Sequence, residues 1–168
     1  MVTIETKLTG ITEQALNRFV LRARRAAHVR GQIHVLVVSN RRMKSLNWQF
    51  RGKNNSTDVL SFPAIAEVAR DFAGDIVISA DIAGANARNL HHRLAHELKV
   101  LILHGVLHLS GHDHESDNGE MARKEARLRK QLNLRDGLIE RLSTQRTPYS
   151  TLSTRHSAIR TRNSRSAR

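Results

Sequence analysis

Three histidines stand at a spacing that can hold one metal ion: His104, His108 and His114, in the run His104-Gly105-Val106-Leu107-His108-Leu109-Ser110-Gly111-His112-Asp113-His114. On a helix, His104 and His108 share a face and lie ~6 Å apart along the axis. Gly111 follows the apolar run and can take the left-handed conformation that turns the chain back. That return can bring His114 to the same ion. Three imidazole nitrogens with a fourth position left to water form a catalytic zinc site. The chain has no cysteine, so thiolate ligands and disulfides are excluded. The ligand spacing is that of the metzincin proteases, in which Glu follows the first His as general base. Here that residue is Gly105. The metal cradle is kept and the protease base is missing, so a metalloprotease-like hydrolase is the weaker alternative.

The elements that must position these residues follow from periodicity. The apolar run Leu94 to Leu109 reads as a helix that is buried on the side of Val106, Leu107 and Leu109. Glu97 near its start is placed to hydrogen-bond a ligand imidazole. His91, His92 and His96 read as exposed residues at the helix start, not as ligands. Earlier, Thr3 to Leu8 suggests a strand. Thr12 suggests an N-cap, with Ile11 and Leu16 as a staple. Leu16, Phe19, Val20, Ala23 and Ala27 then share a helical face, opposite Arg18, Arg22, Arg24 and Arg25, and Gly31 marks the stop. Ile33 to Val38 is a strand. Asn40 can cap a helix from Arg41 to Trp48, with Met43, Leu46 and Phe50 inward, and Trp48 reads as core or subdomain packing in preference to a base-stacking platform. Arg51 to Ser56 is a polar loop before a strand Asp58 to Phe62 that Pro63 closes. Residues 64–72 read as loop or short helix. A strand Asp75 to Ser79 and helices Asp81 to Leu90 and Asn118 to Leu132 complete the chain, the last with Met121, Ala122, Glu125, Leu128 and Leu132 on one face. The order β-α-β-α-β-β-α-α-α predicts an α+β fold: a small mixed four-stranded sheet with packed helices. Val35, Val37, Val59, Leu60, Ile76 and Ile78 would supply its apolar face.

The formal net charge is +13 over 168 residues. Residues 143–168 hold six Arg and no Asp or Glu, which predicts one catalytic domain over 1–142 and a basic, Ser/Thr/Arg-rich disordered tail over 143–168. The excess charge favours polyanions. No terminal basic amphipathic helix favours a membrane surface, and no apolar run reaches ~20 residues. The N-terminal residues lack the pattern of a secretory signal, so the expected location is cytoplasmic.

The histidine run, with Thr57-Asp58-Val59-Leu60-Ser61-Phe62-Pro63 and Gly74-Asp75-Ile76-Val77-Ile78-Ser79, resembles the YbeY family of rRNA maturation factors in motif, order and spacing over roughly residues 30–132. The resemblance implies a zinc-dependent, single-strand-specific endoribonuclease acting in 16S rRNA 3′-end maturation and ribosome quality control. It implies one Zn2+ on His104, His108 and His114. Where the family has Tyr before the Asp-His pair this chain has His112, which stands as an alternative third ligand, while His114 keeps the family position. Arg51 sits where the family places a cleft arginine, and a guanidinium can bind a phosphate bidentately. Asp113 and Glu115 are candidates for proton transfer, with capping of the turn as the alternative role of Asp113. Implied partners are single-stranded RNA and the small ribosomal subunit with its assembly factors, without DNA or membrane. The alternative within this resemblance is an RNA-binding assembly factor whose zinc is structural.

Overall fold

The computed structural model describes residues 1–65, 69–112 and 117–134. Its elements are β1 (Val2–Ile4), α1 (Glu13–Ala26), β2 (Gln32–Val38), α2 (Asn40–Arg51), β3 (Val59–Pro63), β4 (Phe72–Ser79), α3 (Ala80–Asn89), α4 (Leu94–Leu109) and α5 (Glu120–Gln131). This is the expected α+β order. The four strands form one mixed sheet, β1-β2-β4-β3, parallel except for the antiparallel β3–β4 pair. Among the described residues, none of the helices is long and apolar enough to cross a membrane. Residues 66–68, and the tail expected over 143–168, lie outside the described residues.

Local chemistry explains most boundaries, including those that differ from expectation. The Thr12 hydroxyl accepts from Ala15 N–H and opens α1, burying Leu16, Phe19, Val20 and Ala23. That helix stops before Gly31: His28, at φ 59, takes the left-handed turn. His28 N–H and Val29 N–H reach back to the carbonyls of Arg25 and Arg24. Helix α2 is capped by Ser39, not Asn40, and runs on to Arg51. Arg51 therefore belongs to a helix, not a loop. Strand β1 is shorter than the expected Thr3–Leu8.

The sheet separates two apolar layers. Val35, Val37, Ile76 and Ile78 face α1 and α4, with α5 packed behind. Val38, Leu60 and Val77 face the other way, toward Met43 and Leu46 of α2. Val59 and Leu60 were expected on one face. They pair with Ile78 and Val77 respectively and so point to opposite faces, as the twofold strand period requires. Trp48, expected inside, is 61% exposed, and Phe50 is 57% exposed.

Helix α4 lies deepest. Leu98, Leu101, Ile102, Leu103, Val106 and Leu107 have no exposure. It sits on β4 at Gly105, where a Cβ would stand 2.8 Å from Ile76 Cγ2 and 2.9 Å from Ile76 Cδ1. Those atoms belong to a packed core strand and have little room to move. The helix therefore approaches the sheet closely where it carries the first candidate ligand. Gly105→Ala gains about 1 kcal/mol in helix propensity but forces overpacking worth about 1–3 kcal/mol. A net destabilisation is expected in urea unfolding, and an unchanged or raised midpoint would contradict the close approach.

Candidate metal centre

Two of the three expected ligands come together on the last two turns of α4. His104 Nε2 and His108 Nε2 stand 3.1 Å apart, and their ring centroids are 4.7 Å apart with an interplanar angle of 75°. Two imidazole nitrogens on one tetrahedral zinc are roughly 3.3 Å apart, given Zn–N bonds of ~2.0–2.1 Å. The two nitrogens therefore already sit at the separation that a shared ion requires. His104 is 3% exposed, and His108 is half-buried, at the mouth of the site.

A carboxylate fixes the inner ring. His104 Nδ1 is 3.2 Å from Glu125 Oε2 on α5, and Glu125 is 1% exposed. Where Glu125 is ionised it can only accept, and Nδ1 is then the donor of this pair. The Nε2 lone pair then faces His108, which is the arrangement that holds a metal-ligating histidine in one tautomer and orientation. The sequence suggested Glu97 for this role. Glu97 lies two turns earlier, ~10 Å along the axis. It is buried against His92 Nε2 at 2.8 Å and Asn86 Nδ2 at 3.3 Å. His92 and His96 are accordingly half-buried rather than exposed, with their rings tilted at 55° and centroids 4.7 Å apart. Glu125 was legible only as a residue of the apolar face. Its signal was an acid between Met121 and Leu128 at core spacing.

The turn after α4 forms as the glycine predicts. Gly111 takes φ 85, and Gly111 N–H and His112 N–H return to the carbonyls of His108 and Leu107. His112 Nε2 accepts from Lys124 Nζ at 2.8 Å. Its ring is engaged by α5, and among the described residues no group of three His, Asp or Glu side chains is placed to hold a metal. His114, Asp113 and Glu115 lie outside the described residues. Arg51 is exposed on the last turn of α2, whose buried residues pack on the other face of the sheet. A cavity of about 330 Å3 opens between the α1–β2 connection (Ala27, His28, Val29 and Arg30), Pro63, Ala64, Ala69 and Ala73 around the strand ends, and Leu109, Ser110 and Lys124; neither His104 nor His108 lines it.

The chain is similar to known proteins in sequence and fold. The family model for Endoribonuclease YbeY matches residues 2–133. The chain belongs to the YbeY endoribonuclease family. An Endoribonuclease YbeY from Koribacter versatilis is 55% identical over 141 residues, covering 84% of this chain and 91% of the relative. One from Solibacter usitatus is 39% identical over 143 residues, covering 85% and 95%. Among solved structures, the solution structure of TM1509 from Thermotoga maritima matches with a TM-score of 0.55 and 29% identity, covering 86% of this chain and 93% of that one. The YbeY match spans both the sheet and the histidine helix.

The α5 start that carries Glu125 is held by Asp117. Its carboxylate accepts from Gly119 N–H and Met121 N–H, each at 2.7 Å. The Met121 hydrogen bond, then those from Gly119 and Glu120 and the nearby His112, hold this carboxyl below its ordinary 3.8, against an opposing desolvation effect. A depressed folded value means that the stabilisation is present above the unfolded value and is lost as pH falls through the folded one. Asp117→Ala should lower the melting temperature by a constant amount at neutral and mildly acidic pH. The gap from the wild type should close below pH 3.8, and a gap that is independent of pH would contradict the assignment.

Proposed function

We propose that the chain is a zinc-dependent, single-strand-specific endoribonuclease that works in the cytoplasm on the 3′ end of 16S rRNA and in ribosome quality control. The small ribosomal subunit and its assembly factors are then its partners. Membership of the YbeY family supports the endoribonuclease activity, and the basic net charge suits a polyanionic substrate. The observation that carries the reading is the 3.1 Å approach of His104 Nε2 and His108 Nε2 with Glu125 behind them.

In this reading His104, His108 and His114 hold one zinc ion, and Glu125 keeps the His104 lone pair forward. Once bound, the ion supplies Lewis-acid polarisation of a phosphoryl oxygen and brings the pKa of water toward ~7. Arg51 holds the scissile phosphate in a bidentate contact, which suits its exposed position on the last turn of α2. Asp113 takes or returns the proton. The metalloprotease alternative meets a steric obstacle. The position after the first histidine faces Ile76, so a glutamate there would be driven into the sheet and away from the imidazoles.

Elemental analysis of the purified chain, with cleavage of a single-stranded RNA oligomer with and without chelator, tests the reading. One zinc per chain and cleavage abolished by chelation are expected, with no action on casein. His108→Ala, at the half-buried position, should remove metal and cleavage together while preserving the fold. If His104→Ala stays folded and still cleaves RNA, the zinc is structural and the catalytic reading is wrong. Glu125→Gln should weaken zinc affinity by about 10–100-fold without removing the site, as measured by competition with a chromogenic chelator.

A further inference from the structure

Helix α2 presents to solvent a face that the sheet does not explain and of which the histidine site accounts for Arg51 alone. Arg41, Lys44, Trp48 and Arg51 recur at steps of three, four and three residues, within about 80° around the helix and over ~15 Å along it. All four are exposed, while Met43, Leu46 and Asn47 on the opposite side are buried. The helix Asn40–Arg51 contains four cations and no acid. The carboxylate of Asp81 is engaged by Asn40 N–H at the helix start, away from Trp48. Trp48 is 61% exposed, and among the described residues no aromatic ring pairs with it. Its neighbour Phe50 does have a ring partner, Phe62, at 5.1 Å.

An indole is the largest apolar side chain, and leaving it in water forgoes its burial. Flanked by cations, it offers what single-stranded nucleic acid takes from a protein: a flat surface for a base and charges for the adjacent phosphates. A protein partner would need matching acids along the same stripe, whereas RNA carries its charge regularly. We infer that the exposed face of α2 is a binding platform for single-stranded RNA, in which Trp48 stacks on one base and Arg41 and Lys44 contact neighbouring phosphates. This rests on the endoribonuclease reading for the identity of its ligand and adds a base contact outside the histidine site.

Trp48 is the one tryptophan of the chain, so the platform reports on itself. The full chain is titrated in chelator with an eight-residue oligouridylate and with an abasic octamer of the same charge. Tryptophan emission and, separately, the anisotropy of a labelled oligouridylate are followed. The oligouridylate should quench the emission and the abasic octamer should not. Trp48→Ala should weaken oligouridylate binding by about tenfold. Trp48→Phe should restore most of the affinity, and Trp48→Lys, which adds charge without a ring, should not. Saturating oligouridylate that leaves the emission unchanged would overturn the platform, as would wild-type affinity in Trp48→Ala or no binding at all. Cleavage is assayed in parallel with metal present. Cleavage with an unquenched tryptophan defeats the platform alone, and quenching without cleavage defeats the catalytic reading alone.

Discussion

The contact between His104 Nδ1 and Glu125 Oε2 is the point at which fold and chemistry meet. Both groups are almost wholly buried, on different helices. A carboxylate in such a place is costly unless it is hydrogen-bonded, and the imidazole N–H supplies the partner. In return the ring is fixed. Against an ionised Glu125 its proton is on that side and its lone pair is on the side of His108. Without such a partner an imidazole is free to exchange tautomers and to turn over. The contact holds only if α4 and α5 keep their relative position. Gly105 seats α4 on the sheet, and Asp117 fixes the start of α5.

The residue after His104 shows how packing constrains chemistry. Adjacent residues on a helix are ~100° apart. With His104 turned toward α5, residue 105 must turn toward another neighbour, and here that neighbour is Ile76 of β4. A zinc protease places its base at this position. In this chain the helix has instead become part of the core, and the same position serves close packing. The likeness to those proteases is therefore one of histidine spacing, without the position their base occupies.

Features set by local periodicity were legible in the sequence. The order of elements, the Thr12 cap, the buried stripe of α1, the left-handed Gly111 and the shared face of His104 and His108 all depend on residues within a turn or two of one another. What could not be read depends on contacts distant in sequence. Glu125 looked like one polar residue on an apolar face, because nothing local shows that His104 lies opposite it. Glu97 was the more visible acid because it shares the helix with the histidines, yet two turns separate it from His104. Leu60 looked like a residue of the same layer as Val59 because hydrophobicity marks burial without saying on which side. Trp48 looked like core for the same reason. The positions of α2 against the sheet, and hence which of its faces is wet, are tertiary facts.

Strand β3 gives these separate features a common geometry. It is the edge of the sheet, five residues long and ended by Pro63, which has no N–H to offer a further strand. Helix α4 lies against one of its faces, and Phe62 meets Phe50 of α2 on the other. The C-terminal end of α2, with Arg51 and Trp48, therefore lies at a rim one strand thick, with the histidine helix beyond it. A ligand that used both sides would have to bend sharply around that rim. A nucleic-acid duplex resists such a bend over a short length, because its persistence length is ~150 base pairs for DNA. A single strand bends freely and can expose its bases to an aromatic ring. If the imidazoles and the face of α2 act on one RNA molecule, preference for single strands then follows from the placement of the two surfaces, without any residue that recognises strandedness.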